Sequence, residues 1–90
     1  IMVYIVDFEL RKPTQRYKEL VEKIKQYPSY ASLGEYAYLV ETNASAIEIR
    51  NNLKEYIDGN DMLFVGKISA PAAWKGCSDG VTQWIKSKLK

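Results

Sequence analysis

The strongest constraint on this chain is a switch in hydrophobic period within its first 27 residues. From Met2 to Phe8 the chain is β-branched and aromatic, and alternate residues fall into two sets. Met2, Tyr4, Val6 and Phe8 share one face of an extended strand; Val3, Ile5, Asp7 and Glu9 share the other. Arg11-Lys12-Pro13-Thr14 breaks that pattern, because proline lacks the N–H a ladder needs and pushes its predecessor toward extended geometry. Tyr17, Leu20, Val21, Ile24 and Tyr27 then recur at helical spacing, with Lys18, Glu19, Glu22, Lys23 and Lys25 on the outer side. A helix is predicted from Thr14 to Gln26, stopped by Pro28. A strand feeding directly into an amphipathic helix is half of a βαβ unit, and few folds accept it in so short a chain.

The remaining segments extend the same logic. Tyr30–Leu33 and Tyr36–Glu41 read as two strands around a bend at Gly34-Glu35, with a single bulged strand as the alternative. Asn43-Ala44-Ser45 matches a glycosylation sequon, but without a secretory signal it is read as a helix start, with Ser45 and Glu48 at capping-box spacing. The helix is predicted over Ala46–Asp58, burying Ala46, Ile49, Leu53, Tyr56 and Ile57, with Gly59 as a left-handed terminator. Asp61–Ile68 is almost continuously apolar, which predicts a central strand buried on both faces. After a loop of small residues, Ser78 or Asp79 caps a last helix carrying Val81, Trp84, Ile85 and Leu89.

The predicted order is β-α-β-β-α-β with an additional C-terminal helix, an α+β, ferredoxin-like split βαβ sandwich. Two helices should cover one sheet face, leaving the other, with aromatics around Tyr36 and Tyr38, to water or a partner. A flavodoxin-like doubly wound sheet needs more strands than this chain can supply. Residues 1–90 make one domain, since a chain this short cannot feed two cores. Ile1 precedes Met2, the expected natural start. No apolar run approaches a membrane span, so no membrane partner is expected.

Composition narrows the chemistry. The chain has no histidine, which removes the usual general base and the usual serine and cysteine triads. Its one cysteine, Cys77, cannot form an internal disulfide and fits a reducing, cytoplasmic setting. A net charge of +2 neither demands nor excludes nucleic acid. Three groupings could carry function. Asp7 and Glu9 share a face at the end of the first strand, where carboxylates can hold Mg²⁺ or Mn²⁺; the structural alternative is that Asp7 caps the strand edge or pairs there with Arg11 or Lys12. Arg11, Lys12, Arg16 and Lys18 lie near a helix start and could meet phosphates, or could be an ordinary solvated face, and Lys86, Lys88 and Lys90 form a second basic run. Tyr30, Tyr36, Tyr38, Phe64, Trp74 and Trp84 could stack bases, although core or dimer packing explains them more simply.

One set of motifs resembles a known group. Leu10-x-Lys12-Pro13-x-Gln15-x-Tyr17, Leu39-Val40-x-Thr42-Asn43-x-Ser45-x-x-x-Ile49-Arg50, Ala72-Ala73-Trp74-x-Gly76 and Trp84-Ile85 look like the short bacterial proteins labelled SinR family. That group is similar to the Cas-two family of CRISPR-associated proteins and to the VapD proteins. The resemblance implies a ferredoxin-like protomer in a two-fold homodimer. It also implies either a non-catalytic assembly role or metal-dependent endonuclease activity on RNA or DNA; the basic residues Arg11, Lys12 and Arg16, read from the sequence itself, are the expected contacts to such a partner. Aligning on Lys12-Pro13 places Glu9 where that family has its metal-binding aspartate, with Asp7 beside it.

Overall fold

The computed structural model describes residues 1–12 and 15–90. The expected break at Pro13 and helix start at Thr14 lie outside them. The chain is α+β: strands β1 (Met2–Glu9), β2 (Ser29–Ser32), β3 (Ala37–Thr42) and β4 (Met62–Ile68) form one antiparallel sheet, ordered β2-β3-β1-β4. Helices α1 (Gln15–Ile24), α2 (Ala46–Leu53) and α3 (Asp79–Lys88) complete it, with a short 3₁₀ turn at Lys54–Tyr56. Among the described residues no helix is long and apolar enough to cross a membrane.

The two faces of β1 behave as its alternation requires. Tyr4, Val6 and Phe8 pack with Tyr38 and Val40 of β3 under α1 and α2, whose Leu20, Val21, Ile24, Ile49 and Leu53 fill the main core. The other face buries Val3 and Leu39 against Ile85, with Ile5, Ile68, Val81, Trp84 and Leu89 around them. The second face is therefore not left bare: α3 lies across one end of it. Trp84 Nε1 donates to Ser29 Oγ of β2 at 2.8 Å, and Lys88 Nζ lies 3.1 Å from Glu41 Oε1 of β3, so α3 is tied to both strands. Tyr36, expected on the open face, instead packs edge-on against Phe8 and Tyr17, with ring centroids 5.9 and 5.7 Å apart.

Local chemistry accounts for most boundaries. Ser45 caps α2 with a reciprocal box: its Oγ accepts from Glu48 N and Glu48 Oε1 accepts from Ser45 N. Ser78 caps α3, accepting from Val81 N at 3.2 Å. The bend at Gly34-Glu35 separates two strands, held by Ser32 Oγ accepting from Gly34 N and by Leu33 N donating to Ala37 O. Three expectations are corrected. α1 ends at Ile24, two residues early, because Gln26 N and Tyr27 N turn back to Lys23 O and Ile24 O before Pro28. α2 ends at Leu53 rather than Asp58: the chain tightens into the 3₁₀ turn, and the β-branched Ile57 is already extended. Gly59 is consequently no left-handed cap; the positive-φ glycines are Gly34 and Gly76.

The largest correction concerns β4. It is an edge strand, not a central one. Leu63 and Val65 turn toward the core while Met62 is 38% and Phe64 57% exposed, so the apolar run does not signify burial on both faces. The doubly covered central strands are β1 and β3.

Candidate functional site

β1 carries Asp7 and Glu9 to the end of the sheet that α3 does not reach. In register, Asp7 stands opposite Phe64 and Glu9 opposite Met62, so the two carboxylates and these two apolar side chains share one face. Asp7 is half-buried and Glu9 exposed. Neither forms an ion pair with a described residue, so the pairing of Asp7 with Arg11 or Lys12 does not occur. Among the described residues no three His, Cys, Asp or Glu side chains gather to hold a metal. Glu9 borders a shallow depression with Leu10 and Tyr36.

The basic residues separate into two kinds. Arg11 and Lys12 follow β1 and are exposed. Arg16, expected beside them as a phosphate contact, is engaged within the fold: Nη1 donates to Glu55 O at 2.8 Å and Nε lies 3.5 Å from Asp58 Oδ1. It fastens α1 to the turn after α2. Arg11 also serves structure through its backbone, since its N–H donates to Asp61 Oδ1 at 2.9 Å while Asp58 N donates to Oδ2. These two backbone donors, with nearby Arg16 and Arg11, hold the Asp61 carboxyl below its usual range. Tyr17 is shifted the opposite way, chiefly by desolvation and then by Tyr38 and Glu35, and its hydroxyl donates to Glu35 O at 2.8 Å.

Sequence reasoning named Phe64 among the candidate aromatics but missed that it lies along the free edge of β4. Phe64 and Ile47, at 57% and 62% exposure, flank a groove lined also by Ala46, Arg50, Leu63 and Val65. Two signals pointed to it. Ile47 falls off the apolar stripe of α2, and Gly66 follows Phe64 by two residues on the same face. A Cβ at Gly66 would meet Phe64 Cε2 at 2.9 Å, so the ring leans over that glycine and only glycine lets it lie there. Cys77 is a half-buried free thiol in the loop before α3. No family model, curated protein or solved structure matches this chain.

Proposed function

We propose that the protein is a small homodimeric module of ferredoxin-like, Cas-two-like design that assembles with nucleic acid and does not cut it. The order β-α-β-β-α-β and the antiparallel sheet are compatible with that fold. The observation that carries the reading is the uncovered end of the sheet. Met62 and Phe64 stand exposed there on an edge strand, the kind of apolar surface a second copy covers. Arg11 and Lys12 are exposed at the end of the neighbouring strand, and neither forms an ion pair among the described residues, which suits them to phosphates. Arg16 contributes by positioning, because its guanidinium is already engaged.

Light scattering at micromolar concentration and retention of labelled RNA and duplex DNA across a salt series test this reading. A dimer is expected, with retention that weakens as salt rises, since phosphate contacts release counterions. Arg11→Ala and Lys12→Ala are each expected to flatten the log–log salt slope by about 0.9 on duplex DNA. A monomer, or retention that ignores salt, overturns the proposal.

A second reading, metal-dependent endonuclease activity, draws on Asp7 and Glu9 sharing the open face. Their oxygen donors suit Mg²⁺ or Mn²⁺, but two carboxylates need further ligands from water, substrate or a partner copy. Cleavage that appears with Mg²⁺, stops with chelator and is lost in Glu9→Ala would establish it in place of the first reading.

A further inference from the structure

β4 and β2 are the two edges of the sheet, and they differ in length. β2 is four residues long, with Ser29 Oγ bonded to Trp84 and Ser32 Oγ tied into the following bend. β4 has seven residues, roughly 24 Å of strand, paired with β1 along one side and, among the described residues, with no strand along the other. It contains no proline and a single charge, Lys67, and has exposed Phe64 and Ile47 alongside. Such an edge is a template for another strand.

We propose that two copies of the chain join through β4 in antiparallel register about a two-fold axis at Phe64, making one continuous eight-stranded sheet. This rests on the reading that the chain acts as a dimer, and it names the surface. The register follows from the residues. A two-fold axis normal to the sheet keeps each face on its own side, so directly opposite residues must have numbers of the same parity. Centring on Phe64 sets Phe64 against Phe64 of the partner subunit and Leu63 against Val65 of the partner subunit. Met62 of the partner subunit then meets Gly66, where the Phe64 ring already lies, so thioether contacts ring. On the helix side Lys67 stands opposite Asp61 of the partner subunit. The Asp61 carboxylate accepts one backbone hydrogen bond on each oxygen, from Arg11 N and Asp58 N, which leaves a lone pair on each for a further donor, and Lys67 has no ion pair among the described residues. Centring on Leu63 instead opposes Val65 to Asp61, and centring on Val65 opposes Leu63 to Lys67. Only the Phe64 register matches apolar with apolar and charge with countercharge.

The arrangement has a consequence for the carboxylates. Asp7 lies in the row of Phe64, so Asp7 and Asp7 of the partner subunit stand three strand spacings apart, about 14 Å. Ligand bonds near 2.1 Å cannot bridge that separation through one ion. This dimer therefore brings no shared metal to its axis.

Disulfide trapping tests the register in a Cys77→Ser background. Phe64→Cys should cross-link to a dimer under mild oxidant, because the axial pair lies about 5 Å apart at Cβ. Met62→Cys, exposed on the same face but far from its own copy, should not. Phe64→Lys should weaken dimerisation at least tenfold while leaving the circular dichroism of the folded protein unchanged. A dimer in light scattering that Phe64→Lys leaves intact and Phe64→Cys cannot trap overturns the β4 interface while the assembly reading stands. A monomeric parent protein overturns both.

Discussion

The two faces of this sheet are built from the same strands and carry opposite tasks. On the helix side, Tyr4, Val6, Phe8, Tyr38 and Val40 are sealed by α1 and α2. On the other, α3 seals only the end near Val3 and Leu39, and the end bearing Asp7, Glu9, Met62 and Phe64 stays open. One face holds the fold together; the other is half structure and half surface. The lesson is that burial of one face frees residues on the other to be chosen for something besides packing.

Mutations should divide along the same line. Phe8, fully buried in the closed face, is expected to cost about 3–5 kcal/mol as Phe8→Ala, read from denaturant midpoints, because it leaves a cavity among residues that cannot collapse. Ile85→Ala should cost less, about 2–3 kcal/mol, since α3 can shift on the half-open face. If Ile85→Ala proves as damaging as Phe8→Ala, the two faces are energetically one core. Glu41→Gln removes the partly shielded pair with Lys88 and should cost at most about 1 kcal/mol, diminishing with salt. Phe64→Ser should change the stability of the folded protomer by less than about 0.5 kcal/mol, because the side chain is surface in a single copy. A large loss there would mean Phe64 belongs to the core after all.

The smallest effect concerns acid. The Asp61 carboxyl titrates below its usual 3.8, so its ionised form favours the fold above that pH. Its contribution fades as pH falls through the lower, folded value. Thermal melts below about pH 4 should therefore drop less steeply in Asp61→Asn than in the parent protein.

Much of the fold was legible in the residues. The alternation in β1 assigned both of its faces, and the Ser45–Glu48 spacing located the start of α2 to the residue. Helix ends were less legible, because Ile57 and Tyr56 fit a helical stripe as well as the turn and extended backbone they adopt. The candidate site was half legible. Asp7 and Glu9 do share a face, as their spacing requires, but nothing in the spacing of Arg16 shows that Glu55 and Asp58 occupy it.

By itself, the sequence determined which segments are strands and helices and which side chains of each share a face, since those depend on periods of 2 and 3.6 along the chain. Only the tertiary structure decided where each element sits. An apolar run such as Met62–Ile68 reads alike in the centre of a sheet or at its edge, because the difference lies in whether another strand arrives beside it. That arrival depends on how α2 returns the chain and where α3 docks, which are contacts between residues far apart in sequence. The exposure of Phe64, and with it the open edge, is a property of that placement.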